Sequence, residues 1–235
     1  MKLRPFVVGL SRFISTTYFF STRMGLGVVT LRPTADVRDL ILVGDGTPDN
    51  YVLAILAYHL NGRKVVGIAK HEEMRGLSVL RDVRTYVEAA KRLRTLLLLV
   101  DRDETTLEAI ADRARGLLKE AVIKDERAIN GGRVRELELR YGGREFRLVL
   151  LVNDLELEGA RRHTIESHLL HAAEEVLGCD LIRDLLRKAR GDPKSAWAML
   201  GKSRQYHVYR HMVKSRTLVE RVFPQHIKAL RLLDE

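Results

Sequence analysis

The stretch Leu96-Leu97-Leu98-Leu99-Val100-Asp101-Arg102-Asp103 runs an unbroken apolar segment into two carboxylates. Such a segment reads as a strand buried on both faces, as in the middle of a parallel sheet. Side chains at i and i+2 of a strand point the same way, so Asp101 and Asp103 are expected to aim at one point beyond its carboxyl end. In an open α/β sheet, ligands bind at that edge. Converging carboxylates repel unless a proton or a cation lies between them. The expected guest is Mg²⁺ or Mn²⁺, which favour oxygen ligands and phosphate partners.

Outward from this strand the chain alternates. A first strand is expected over Asp39–Val43, followed by the loop Gly44-Asp45-Gly46. The helix after it takes Thr47 as cap and Pro48 in its first turn, and closes at Asn61-Gly62. A second strand follows over Lys64–Ala69, then a helix over Leu77–Arg92 with Leu77, Leu80, Val83 and Val87 on one face. The third strand is Thr95–Val100, and a helix follows over Thr105–Glu120. This alternation predicts an α/β fold with a parallel sheet core. Arg133–Arg140 and Arg144–Val152, joined through Tyr141-Gly142-Gly143, read as a β-hairpin, and Gly131-Gly132 mark the passage into it. From His163 the chain reads as helices over 164–177, 180–190, 193–200 and 204–222, with a short one after Pro224. The expected division is an N-terminal extension over 1–37, an α/β core over 38–177 and a basic helical region over 178–235.

The chain has 235 residues, 46% of them hydrophobic, enough for a substantial core. Its single cysteine, Cys179, rules out an internal disulfide and fits a reducing, cytoplasmic setting; packed after Gly178, it reads as small core filler. Two glutamines, four asparagines and 31% charged residues resemble the usage of heat-adapted proteins. The net charge is +10, and residues 180–235 hold thirteen Lys/Arg against six Asp/Glu. That excess points to a nucleic acid, DNA or RNA, as partner. No run approaches the ~20 apolar residues of a membrane span. The first 35 residues carry no Asp or Glu. They read as a non-signal segment, with translation from Met24, or Val28–Leu31 pairing along the sheet edge, as readings of its role. A homodimer is compatible with the chain.

In a parallel sheet the loops after the first and third strands share one edge. Asp45 would then face Asp101 and Asp103. A hydrophobic strand, an acid, Gly46 and Asp49, followed about fifty residues later by strand-Asp-x-Asp, resembles the TOPRIM domain of topoisomerases, primases and OLD-type nucleases. The resemblance covers about residues 38–177. It implies metal ligands at Asp45, Asp101 and Asp103, with a further acid opening a helix after the sheet. Thr164-Ile165-Glu166-Ser167-His168-Leu169-Leu170 matches that segment, with Glu166 as the acid. The family's first acid is normally Glu. Asp45 is a methylene shorter, by ~1.5 Å of reach, which favours metal binding through water over direct acid–base work. OLD-type sites also use a lysine from the helical region, a role open to Lys202 or Lys214. The resemblance implies Mg²⁺- or Mn²⁺-dependent phosphodiester hydrolysis, with Asp45, Asp101 and Asp103 catalytic.

Other readings compete. Asp101-Arg102-Asp103-Glu104-Thr105 also resembles the Asp-x-Asp-x-Thr of haloacid-dehalogenase-type phosphatases, and Gly44–Asp49 their later metal motif. The order of the two is reversed here. A nucleic-acid binder with a degenerate metal site fits the Asp45 departure. Acids after a strand also cap helices, and Asp49 and Glu104 read as first-turn acids favoured by the helix dipole. His207 and His211 stand at i, i+4, a spacing that binds zinc, but lack an evident third ligand. His163, His168 and His171 flank Glu166, and His163 reads as a surface histidine, with a place near the metal edge as the other reading. Trp197 reads as a packing anchor. Lys202, Arg204, Arg210, Lys214 and Arg216, interleaved with Tyr206 and Tyr209, form the expected nucleic-acid face, with cations on phosphates and rings on bases.

Overall fold

The computed structural model describes residues 7–9, 28–29, 38–43, 51–53, 55–56, 59, 66–70, 74–89 and 92–234. Among the described residues eight strands form one sheet: β1 (Val7–Gly9), β2 (Val28–Val29), β3 (Asp39–Val43), β4 (Val66–Lys70), β5 (Thr95–Asp101), β6 (Val122–Ile129), β7 (Val134–Tyr141) and β8 (Arg144–Asn153). Their spatial order is β2-β1-β4-β3-β5-β8-β7-β6. Neighbours from β2 to β8 run parallel, and β7 and β6 return antiparallel. The expected pairing of the first and third strands is present, with Asp39 opposite Thr95 and Val43 opposite Leu99.

Strand alternation splits the core in two. Ile41, Leu97, Leu99, Val149 and Leu151 face one side, and Leu40, Leu42, Leu96, Leu98, Val100, Leu148, Leu150 and Val152 face the other. Helical residues between β3 and β4, including Val52, Leu53, Ile55 and Leu56, cover the first side. The segment between β4 and β5 covers the second. The chain therefore steps one way from β3 to β4 and the other way to β5. That reversal makes a topological switch point at the carboxyl ends of β3 and β5, where a crevice opens between crossovers.

The first side is closed by the C-terminal helices α3 (Ile165–Leu177), α4 (Cys179–Lys188), α5 (Pro193–Met199), α6 (Gly201–Lys214), α7 (Arg216–Val222) and α8 (Pro224–Arg231), after α1 (Val83–Ala89) and α2 (Leu107–Leu117) on the second side. Arg147 ties the last turn to the sheet: its guanidinium donates to Leu232 O at 3.0 Å and pairs with Glu136 at 3.0 Å.

Several expectations change. The single helix over Leu77–Arg92 is a 3₁₀ turn, Gly76–Asp82, running into α1. Leu77, Leu80 and Val83 are all buried, as expected, but their spacing of three matches the 3₁₀ pitch. The helix over 204–222 breaks at Ser215, whose hydroxyl accepts from Leu218 N at 3.2 Å and caps α7. Strand β6 was not expected. Its sequence, VIKDERAI, lacks period-2 alternation because it is an edge strand with no fully buried residue. Gly131-Gly132 lie in the β6–β7 turn rather than at the end of the α/β core. In the first segment, Val28–Val29 do pair along the sheet edge, against β1. Among the described residues, no helix is long and apolar enough to cross a membrane.

Candidate metal and phosphate site

Asp101 is the last residue of β5, and its side chain is 3% exposed. Three donors meet it. Asn153 Nδ2, its register mate on β8, donates at 2.9 Å. The backbone N–H of Ile165, first residue of α3, donates at 3.0 Å to the same oxygen. Lys194 Nζ pairs with the other oxygen at 3.0 Å. The carboxylate thus sits on the positive end of a thirteen-residue helix and beside the Lys194 ammonium. It does not cap the helix that follows it. Thr106 does, accepting from Ala109 N at 3.1 Å.

The strand ends at Asp101, so alternation no longer orients Asp103. Its backbone turns left-handed instead, with φ +51°. The turn is held by a two-way bridge: Asp103 N donates to His163 O at 3.1 Å and His163 N to Asp103 O at 3.3 Å. Burial raises the Asp103 carboxyl above the ordinary range, and the Asp101 charge raises it further, while Lys194 and Arg162 pull it down. Glu166, in the first turn of α3, is buried. Its carboxyl is also pushed up, by burial first and the Asp101 charge second, with Thr164 and Lys194 opposing. Glu166 Oε2 is buried without a hydrogen-bond partner.

Of the acids expected at the site, Asp101 therefore acts by its charge on both Asp103 and Glu166. Asp45 and Asp49, with the loop that carries them, lie outside the described residues. Among the described residues, no three His, Cys, Asp or Glu side chains form a ready-made metal-binding group. The chemistry of the donors still fits a hard divalent cation. They are carboxylates that repel one another, and one presents a buried, unpartnered oxygen.

The lysine at the site is Lys194, not Lys202 or Lys214. Asp192 caps α5 through Ser195 N at 3.1 Å and Pro193 opens the helix, which sets Lys194 in the first turn. Asn153 and Asp154 were also missed. Asp154 is buried between Arg102 at 2.8 Å and Arg133 at 2.9 Å, with His163 Nδ1 at 3.3 Å. A signal existed: Val152-Asn153-Asp154 ends a buried strand in polar residues, as Val100-Asp101 does. Behind Asn153 the network continues inward. His226 Nε2 donates to Asn153 Oδ1 at 2.7 Å, which fixes the amide so that its nitrogen faces Asp101.

Along this edge, a cleft of about 290 Å³ opens between the 3₁₀ turn and α2, with Arg75, Asp103 and Arg113 at its rim and Leu77, Val100 and Ile110 below. Glu104 is exposed and lies 3.4 Å from Arg162. Lys202, Arg204, Arg210 and Lys214 are exposed on α6, and Arg216 pairs with Glu220 at 2.7 Å on α7. Tyr209 does not stack on bases: it is 2% exposed, with its ring edge-on to Trp197 at 5.6 Å and to Tyr51 at 5.3 Å. Trp197 is the packing anchor expected. Cys179 is exposed rather than core filler, because it opens α4 on the outside of the helical layer. His207 and His211 are both exposed on α6. No protein-family model, no curated protein and no solved structure matches this chain.

Proposed function

We propose that the chain is a divalent-metal-dependent nucleic-acid-processing protein, a phosphodiester-hydrolysing nuclease of TOPRIM type. One observation carries the reading: the buried Glu166, with an unpartnered oxygen, feels the charge of Asp101 at the switch point of a parallel sheet, as Asp103 also does. Asp101, Asp103 and Glu166, with Asp45, would hold Mg²⁺ or Mn²⁺. Bound there, such an ion neutralises a phosphodiester and activates water for in-line attack. The chain's own groups do the rest. Asn153 and the α3 N-terminus hold Asp101 in a single orientation. Lys194, 41% exposed, offers its ammonium to the same edge and balances charge there. Burial and the Asp101 charge both raise the carboxyl groups of Asp103 and Glu166 above the ordinary range, so these two hold a proton more readily than a solvated carboxylate does.

Asp103→Asn keeps the shape and removes one charge. Mg²⁺- or Mn²⁺-dependent cleavage of single-stranded, duplex and RNA substrates should fall at least ~10²-fold, with nucleic-acid binding retained. Asp45→Glu restores the longer acid and should raise activity. A second reading, a binder that does not cut, is favoured by Lys194, whose ammonium already neutralises Asp101. Binding by the wild type, with no cleavage by it or by Asp45→Glu under either metal, would select that reading. Turnover of a simple phosphate monoester would select a phosphatase.

A further inference from the structure

A second cleft, of about 410 Å³, is lined by Arg161, Arg183, Arg187 and Arg190, against Glu158 as the carboxylate in its lining. Arg183 is held loosely, with Glu158 at 3.6 Å and Asp180 at 3.8 Å, and Arg187 pairs with Asp184. Arg161 and Arg190 are exposed, and among the described residues neither side chain meets a carboxylate. Four guanidinium groups around one concavity create a local positive potential that an anion relieves.

The frame of the cleft is fixed. Arg190, in the turn after α4, has φ +54°, a left-handed conformation that residues other than glycine seldom adopt. Gly191 follows with φ +79°, and a Cβ there would sit 2.8 Å from Gly159 O and 2.9 Å from Arg161 Cγ. The two loops therefore meet backbone to backbone, closed by Arg161 N donating to Gly191 O at 2.8 Å. The same two loops build the carboxylate site. Lys194, three residues past Gly191, reaches Asp101. His163, two residues past Arg161, is bridged to Asp103, and the Arg162 charge between them acts on Asp103.

We propose that this arginine cleft is the seat for the phosphate backbone of a nucleic acid and leads the strand to the carboxylates; the inference rests on the nucleic-acid reading above. Among the described residues no aromatic ring lines the cleft, so bases have nothing to stack on there. Phosphate contacts alone position a strand without reading its sequence. Binding through this seat is therefore independent of sequence, and it lies apart from the α6 face on which Lys202, Arg204 and Lys214 stand.

The test is fluorescence anisotropy with a labelled oligonucleotide of about 20 nucleotides, single-stranded and as duplex, over about 50–200 mM salt. Arg161→Ala with Arg190→Ala should weaken binding at least about tenfold at low salt. On duplex it should flatten the log–log salt slope by about 1.8, some 0.9 for each phosphate that the variant no longer neutralises. Arg161→Lys with Arg190→Lys keeps two point charges and should keep the slope. Lys202→Ala, Arg204→Ala and Lys214→Ala together should flatten it less than the cleft variant does. A slope unmoved by the cleft variant but flattened by the α6 variant overturns the proposal and moves the seat to α6. A wild type that binds neither oligonucleotide overturns the nucleic-acid reading and the cleft with it. The expected slopes in a protein that never cleaves would uphold the cleft and overturn hydrolysis alone.

Discussion

Asp101 and Glu166 occupy the same edge and meet opposite conditions. Asp101 has a helix N-terminus, an amide and an ammonium around it, whereas Glu166 is buried with one oxygen unpartnered and a negative neighbour. Because the folded-state carboxyl of Glu166 is raised, the folded protein holds that proton more tightly than the unfolded chain. Its contribution to stability is therefore full below the ordinary carboxylate range and is lost as pH rises from there through the raised folded-state value. Glu166→Gln removes that loss. The variant should melt no lower than wild type at neutral pH, and the gap between the two should narrow on acidification. In titration calorimetry its affinity for Mn²⁺ should drop at least ~10-fold, as expected when a metal ligand is removed. A variant that melts well below wild type at neutral pH would show that Glu166 is a structural carboxylate. The acids were legible in the sequence because a buried strand ending in Asp-x-Asp is a local signal. Lys194 was not, because it reaches Asp101 from ninety-three positions away through the path of α3 to α5.

At the scale of elements, the loops that join helices to the sheet edge carry the site. Gly191→Ala meets two penalties, a left-handed φ and a Cβ pressed on the Gly159 carbonyl oxygen. It should cost about 2–4 kcal/mol in urea unfolding. Gly142→Ala, in the β7–β8 turn, shares the positive φ but has open space around its Cβ, and should cost only ~1–2 kcal/mol. Equal costs at the two positions would mean that the Gly159–Gly191 approach yields without strain. Element reading from sequence went as far as burial constrained it. Strands β5 and β8 were legible because both faces are covered, and Leu77, Leu80 and Val83 were assigned correctly to the core. The pitch of their turn was not, since a three-residue spacing serves a 3₁₀ turn and one stripe of an α-helix alike. Strand β6 left no pattern, because an edge strand with four consecutive charged residues answers to solvent and to Arg115 and Arg135, which hold Glu126 at 2.7 and 3.0 Å.

For the whole molecule, two histidines sit in the seam between helices and sheet. His168 donates from Nδ1 to Val222 O at 2.7 Å, so its other nitrogen accepts from Gln225 Nε2 at 3.0 Å. His226 donates from Nε2 to Asn153, which leaves Nδ1 buried and bare. Both rings are neutral in the fold. Burial brings His168 down to about 4 and drives His226 well below its ordinary value. The unfolded chain takes up these protons first, so stability is full above about pH 6.5 and falls as pH drops toward 4, by roughly 3 kcal/mol for His168 alone. His168→Gln should weaken that dependence in urea midpoints measured across the range. A midpoint flat in wild type from pH 7 to 4 would sink the assignment. The seam also limited what the sequence could tell. Composition marked 178–235 as a basic helical region, yet its apolar side belongs to the same cluster as Ile41, Leu97 and Leu151.

That shared cluster sets an order of events in time. One face of the sheet is complete as soon as the segment up to β8 exists, because its cover, the 3₁₀ turn, α1 and α2, comes from between the strands. The other face, covered in part by the helical residues between β3 and β4, waits for α3 to α8 to close it. While the chain is being synthesised, the face carrying Leu97, Leu99, Val149 and Leu151 has only the helical residues between β3 and β4 to cover it until the last helices emerge. Its contacts are far apart along the chain, so their closure is slow. Docking of the C-terminal helices also brings Lys194 to Asp101 and His226 to Asn153. The nascent protein therefore assembles its carboxylate edge in the same late step that seals its core, and half-made chains carry the strand without the finished site.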